Sequence, residues 1–411
     1  MQIDKQRLGV ERTSPTARQS LRSLPMGIWA LGFGSLFMDT SSELIHSLLP
    51  VFMATILGAS MVTIGFIEGI AEATAAITKV FSGVLSDYLG KRKLLVVLGY
   101  GLGALTKPVF PLATSIWWVF GARFVDRVGK GIRGAPRDAL VADITPPELR
   151  GAAYGLRQAL DSVGAFIGPL LALVFMVWLA NDIKAVLWVG VVPAFIAVAL
   201  LVIAVREPGS ESQPTNKRTP IKLADARRLE FSYWFIVLLG AVFTLARFSE
   251  AFLVLRAQNV GLELGFVPLV LIVMNVVYAG AAYPAGVAAD RMSRWTLLLL
   301  GLAILVLADV VLGLAATPWQ VFAGAGLWGL HMGLTQGLLS KLVADNAPAE
   351  LRGTAFGIFN LIGGVALLFA SVVAGSLWEL VGPSATFIAG AAFAAIAAIG
   401  ILTHRERPQA A

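Results

Sequence analysis

The chain has 411 residues, 57% of them hydrophobic and 14% charged, with a formal net charge of +7. Soluble domains carry roughly 25% charged residues, so the composition excludes an ordinary soluble domain, and its apolar runs are long enough to span a bilayer. With no cysteine there is no disulfide framework or thiolate metal site, and cations confined to short loops between apolar spans orient a membrane protein rather than mark a nucleic-acid partner.

Residues 1–24 are polar and carry no signal-peptide pattern. Twelve spans follow, at 27–48, 62–82, 94–114, 115–137, 152–176, 185–205, 232–254, 265–287, 295–315, 318–340, 353–377 and 384–403. An even number puts both termini on one side. With the amino terminus inside, 22 of the 32 lysines and arginines fall in inner segments and span ends. Three (Lys107, Lys184 and Arg256) fall at outer loops and span edges, and seven lie within spans. That asymmetry predicts cytoplasmic termini in the cytoplasmic (inner) membrane.

The longest internal polar stretch, containing EPGSESQPTNKRTP, divides the spans six and six and reads as a flexible linker. The expected organisation is a cytoplasmic segment 1–26, a six-helix bundle 27–205, a linker 206–231, a second six-helix bundle 232–403 and a tail 404–411. Internal repetition supports it. DALVADITPPELRGAAYG at 138–155 returns as SKLVADNAPAELRGTAFG at 340–357, an offset of 202, and GVLSDYLGKRK at 83–93 returns as GVAADRMSRW at 286–295, an offset of 203. Two pairs at nearly one offset predict a duplicated unit, hence an all-α polytopic protein with two pseudo-symmetric bundles and a site between them near the midplane.

GVLSDYLGKRK, through Gly83, Leu85, Asp87, Gly90, Lys91 and Arg92, resembles the signature loop of the major facilitator superfamily. Tyr88 stands where that family often has arginine. The second copy keeps Gly286, Asp290 and Arg291 but has Ser293 in place of Gly90. Arg123 resembles the family's fourth-helix arginine. Gly164, Gly168 and Pro169, in GAFIGP, resemble the fifth-helix motif of its antiporters, although Leu-Leu-Ala follows where further glycines are usual. The resemblance implies the twelve-helix fold of that superfamily, a gating role for these residues, and export. On physical grounds Gly83 is expected to let two helices approach closely, Asp87 to sit at a positive helix end, and Arg92 to pair with a carboxylate. The charged loops 87–93 and 143–150 are expected to form an inner latch, beside the plainer role of a tight, positively anchored turn.

Span four carries the densest charge. Trp117 and Trp118 mark its interfacial end. At 1.5 Å per residue and a core of ~30 Å, its midplane falls near Asp126. Arg123, Asp126 and Arg127 lie deep, Lys130 is intermediate, and Arg133 and Arg137 approach the cytoplasmic surface, where they snorkel. The same estimate puts Asp39 of span one, Glu72 of span two and Asp161 of span five deep, with Glu43 and Glu68 one turn outward. A charge at the bilayer centre costs at least ~2.5–3.5 kcal/mol, so these groups should face inward and pair. Spacing of four sets Arg157 with Asp161, and Asp126 with Lys130, on one face. The acids Asp39, Glu43, Glu68, Glu72, Asp126 and Asp161 match the bases Lys79, Arg123, Arg127, Lys130, Arg133 and Arg157 one for one. Asp39 and Glu72 have no same-face cation within a turn and are the foremost candidates for proton carriers. The bland alternative is that the pairs only fix helix register.

The second half is poorer in charge: Arg247, Glu250 and Asp309, with His331 as a packed polar residue and Asn275, Tyr278, Gln336 and Asn360 as small polar lining. His46, three residues after Glu43, is expected near the outer surface. No HxxxH or His-rich tail appears, so no metal site is expected. No cofactor or enzymatic constellation is expected either, and GKGIRG lacks the preceding strand of a phosphate loop. The expected function is a monomeric secondary transporter in the lipid bilayer, exporting a small organic compound or drug against protons by alternating access. The alternatives are carriage of an organic or phosphorylated anion through Arg123, Arg127 and Arg247, metal efflux, or a non-transporting sensor.

Overall fold

A computed structural model describes residues 23–206, 228–335, 338–348 and 351–405. Most of the expected terminal segments and linker therefore lie outside the described residues. Twelve crossing elements follow in order. In the first half these are α1 (Met26–Thr55), α2 (Met61–Leu89), α3 (Arg92–Thr106), α4 (Ile116–Ile144), α5 (Arg150–Trp178) and α6, in two pieces, Ile183–Val189 and Val191–Ala204. In the second half they are α7 (Phe231–Leu245 and Ala251–Asn259), α8 (Leu269–Arg291), α9 (Arg294–Leu314), α10 (Pro318–Thr335 and Leu338–Asp345), α11 (Arg352–Leu380) and α12 (Pro383–Arg405). Among the described residues, eight of these helices are long and apolar enough by composition alone to cross a membrane. The other four are α1 and α4, which carry the deep charges, and α7 and α10, each described in two segments.

The duplicated loops fold alike. Arg92, opening α3, pairs with Asp143 near the end of α4, and Arg294, opening α9, pairs with Asp345 near the end of α10. Both pairs keep the 202-residue offset, whereas Gly83 and Gly286 differ by 203. The missing residue falls in the turn. Gly90 ends α2 at φ +62, the left-handed cap that favours glycine. The shorter second turn instead uses Ser293, whose side chain accepts from the Thr296 amide at 3.1 Å. These ion pairs lie within each half, and the first joins the two loops, 87–93 and 143–150, of the expected inner latch. Gly83 also departs from expectation. A Cβ there would meet only Ala135, at an ordinary 3.4 Å.

The halves touch at the end away from the chain termini. Along α2 and α11, a Cβ at Gly65 would come within 2.1 Å of the Ser371 carbonyl oxygen, one at Gly375 within 2.3 Å of the Met61 oxygen, and one at Gly69 within 2.9 Å of Leu368 Cα. Backbones this close pack by dispersion over a wide area. Val62 N–H donates to Glu379 at the same end. One apolar core runs through both halves there, joining Leu44, Phe52 and Ile64 to Phe252, Leu253 and Trp378. Toward the termini the first half has a separate core around Ile28, Met38, Tyr100 and Leu201. Among the described residues, a Cβ at Gly151, Gly155, Gly280 or Gly286 would meet nothing within 4 Å. The halves are closed at one end and parted at the other.

Candidate functional site

Between the parted halves lies a cavity of about 700 Å³. Its first-half wall carries Asp39, Glu43 and His46 of α1, Glu72 and Lys79 of α2, Arg127, Lys130, Arg133 and Arg137 of α4, and Asp161 of α5. Its second-half wall carries Thr244, Arg247, Phe248, Ser249 and Glu250 of α7, Trp328 of α10, and Phe359 and Asn360 of α11. Arg247 and Glu250 project from a break in α7. Its first piece ends at Leu245 and its second starts at Ala251, so the expected continuous span 232–254 is interrupted beside the cavity. Broken helices at such a place expose backbone groups to a ligand.

Glycine brings the helices behind the first wall close enough for their charges to meet. A Cβ at Gly99 would lie 2.6 Å from the Gly129 oxygen, and one at Gly131 would lie 2.4 Å from Thr78 Cβ, so α4 is pressed onto both α3 and α2. Across these contacts Arg123 donates to Glu68 at 2.7 Å, Arg127 meets Glu72 at 2.9 Å, and Lys107 donates to Asp126 at 2.8 Å and to Ser42 at 3.0 Å. Glu68 is fully buried, and Arg123 is only 2% exposed. Arg133 lies 3.9 Å from Asp39 and stacks over the Tyr100 ring. Arg137 donates to Ser35 at 2.8 Å and lies 3.8 Å from Asp161, which also accepts from Arg157 at 2.8 Å. His46 stands between Glu43 and Glu68, at 3.5 and 3.8 Å.

The closed face of α1 rests on α5. A Cβ at Gly164 would lie 3.2 Å from Asp39 Cβ, and one at Gly168 would lie 2.8 Å from Glu43 Cβ. Gly168 and Pro169 are buried. Two carboxylates thus face the cavity from a helix whose back has no room to move without α5.

Matches to known proteins agree with this architecture. The family model described as Major Facilitator Superfamily matches residues 31–274 and 251–411. An uncharacterized MFS-type transporter of Methanocaldococcus jannaschii is 30% identical, covering 93% of this chain and 95% of the relative. The chain belongs to the major facilitator superfamily. It is 24% identical to the inner membrane transport protein YajR of Escherichia coli, over 92% of this chain and 83% of that one. To the class H tetracycline resistance protein of Pasteurella multocida it is 25% identical, over 72% and 76%. Among solved structures, the nucleoside transporter NupG superposes with a TM-score of 0.76 at 13% identity, covering 92% of this chain and 99% of that one. The protein is a multi-pass membrane transporter of this superfamily, whose members carry small molecules.

Several expectations about side chains need correction. Lys107, assigned to an outer edge, is 1% exposed at the end of α3 and neutralises Asp126. Lys130, assigned to Asp126, instead points into the cavity. Arg256, the other edge cation, is buried and donates to the Leu312 and Ala315 carbonyls that end α9. Arg137 does not snorkel but faces Ser35 and Asp161. Of the polar lining, Asn360 faces the cavity while Asn275 does not line it. His331 donates from Nδ1 to the Gly301 carbonyl oxygen, 2.8 Å away, as a packed residue. Asp309 is wholly buried behind Gly390, with neither oxygen hydrogen-bonded among the described residues. Gln336 lies outside the described residues, as do the side chains of Asp87, Asp290 and Arg291. His46, expected near the outer surface, stands between two carboxylates and is part of the network.

Proposed function

We propose that the protein is a proton-coupled antiporter that exports a small organic compound by alternating access. With the termini cytoplasmic, as the distribution of lysine and arginine favours, the parted end faces the cytoplasm and the closed end faces out. The observation that carries the reading is the placement of Asp39 and Glu43: both reach the cavity, one turn apart on α1, with Gly164 and Gly168 of α5 directly behind them. Similarity to a tetracycline resistance protein supports the outward direction.

In this reading the carboxylates divide by how firmly they are held. Glu68, Glu72 and Asp126 accept short charge-assisted contacts from Arg123, Arg127 and Lys107 and keep α2, α3 and α4 in register. Asp39 is held only loosely, at 3.9 Å from Arg133, and it is the proton acceptor. Protonating it removes the attraction that holds Arg133 toward α1, and the movement of α1 carries α5 with it. His46 passes a proton between Glu43 at the cavity wall and Glu68 inside the bundle by turning its ring. The neighbouring charges on that path are Arg123, Arg127, Lys130, Glu72 and, from the second half, Glu250. A ligand can shift such an equilibrium only by its different affinity for the two states, and proton and substrate compete by favouring opposite ones.

The test is transport in proteoliposomes holding a pH-sensitive dye, with a panel of organic compounds added outside. Wild type should release protons on addition of a transported compound. Asp39→Asn should bind the compound without moving protons. Proton movement at the wild-type rate in Asp39→Asn overturns the assignment.

A further inference from the structure

We infer that the transported compound is an organic anion, a carboxylate or phosphate ester, anchored between Lys79 and Lys130 of the first half and Arg247 of the second. The inference rests on reading the cavity as the transport site. Its basis is what remains in the wall after the ion pairs are removed. Arg127 is engaged by Glu72, Arg133 by Asp39, and Arg137 by Ser35 and Asp161, while His46 stands against Glu43. Arg123 lies behind the wall on Glu68. The arginines Arg123 and Arg127 are therefore not available to an anion.

Among the described residues, Lys79, Lys130 and Arg247 are the lining cations without a carboxylate within 4 Å, and Glu250, whose charge acts on Arg247 from the same break, is the lining carboxylate without a cation within that distance. Lys79 and Lys130 are exposed to the cavity. The Lys79 stem runs along Gly134, its carbons 3.5 Å from where a Cβ would stand. A lysine head is a mobile point charge with three donors, suited to a carboxylate or phosphate oxygen.

The placement also explains how an occupant helps the cycle. The lysines belong to α2 and α4, and Arg247 to the broken α7, so the three cations face one another across the parted halves. Bringing them together empty, or around an uncharged compound, sets like charges in a shrinking, drier space. An organic cation adds to the repulsion. An anion bridging the two walls turns that repulsion into attraction and favours closure of the parted end. The cavity volume suits a compound of drug-like size.

The test uses the purified full-length protein without any gradient, reading unfolding temperature and calorimetric affinity with benzoate, phenyl phosphate and citrate. Tetraphenylphosphonium and benzyl alcohol serve as cationic and neutral counterparts. The anions should bind and stabilise wild type. Lys79→Gln with Lys130→Gln should weaken binding about tenfold or more, the loss expected for charge-assisted contacts. Lys79→Arg with Lys130→Arg should retain it. Stabilisation by the cation or alcohol but by none of the anions overturns the inference, as does wild-type affinity in the double glutamine variant. Should that variant fail to fold, the contrast between anions and counterparts on wild type decides alone. Anion binding without proton movement in the dye experiment overturns only the coupling. Proton movement driven by a cationic compound, with no anion binding, overturns only this substrate class.

Discussion

Replacing Gly65 by valine should drive the protein out of the conformation described above. A Cβ at this position falls 2.1 Å from the Ser371 carbonyl oxygen and 3.4 Å from the Phe252 ring. The first neighbour is backbone, so no side-chain rotation relieves it, and α2 and α11 must separate. Overpacking of a close contact costs about 1–3 kcal/mol. That cost arises only where the two helices touch, in the state closed at this end. If the alternative state separates them, the equilibrium shifts toward it by about 5- to 150-fold. The chain has no cysteine, so paired spin labels can be placed cleanly at Gly151→Cys on α5 and Gly286→Cys on α8, two positions with open space around them. The distance distribution between them should move to shorter values in the Gly65→Val background. A distribution identical to the parent, in a variant of normal stability, would show that the α2–α11 contact does not hold this state.

Lys107→Met should destabilise the first half by about 3–5 kcal/mol, because it leaves the buried Asp126 carboxylate without its partner. Lys107→Met with Asp126→Leu should recover most of that loss in unfolding temperature. Arg92→Ala and Arg294→Ala break the partly exposed pairs to Asp143 and Asp345 and should each cost no more than about 1 kcal/mol. Their effects should add, since the pairs lie in different halves. Gly168→Val should abolish transport while leaving expression measurable, because its side chain would drive α1 off α5 behind Glu43. Transport and its dependence on external pH in vesicles should also separate His46→Gln from Glu68→Gln: the first slows proton movement with stability kept, the second strands Arg123 and unfolds the bundle.

The twelve spans and the duplication were legible because both depend on local pattern. Apolar length marks a crossing helix whatever it packs against, and the 202-residue offset of the repeat reappears in the structure between the Arg92–Asp143 and Arg294–Asp345 pairs. The break in α7 was not legible. The stretch FTLARFSEAF holds no proline or glycine to mark it, and the interruption is maintained by contacts with other helices, such as the Ser249 amide donating to Ser371. Lys107 and Arg256 defeated the sorting of cations for a related reason. Counting by position along a span treats every cation near an end as an anchor in water, yet both residues fold back onto groups from other helices: Lys107 onto Asp126, Arg256 onto the end of α9.

The misplaced lysine changes what the charge balance means. Matched totals of acids and bases within the spans imply a closed network with nothing left for a ligand, provided every charge pairs inside that set. Once Lys107 takes Asp126, and His46 stands against Glu43, two cations that were counted as spoken for are released. They are Lys79 and Lys130, and both face the cavity. A net sum over a helix bundle is thus silent about its interior surface. What decides the character of the wall is which charges have geometric access to a partner, and that is set by the glycines at 99, 129 and 131 that let α3 and α2 close onto α4. The same glycines therefore fix both the rigid arginine–carboxylate core and, by exclusion, the ammonium groups left facing the cavity.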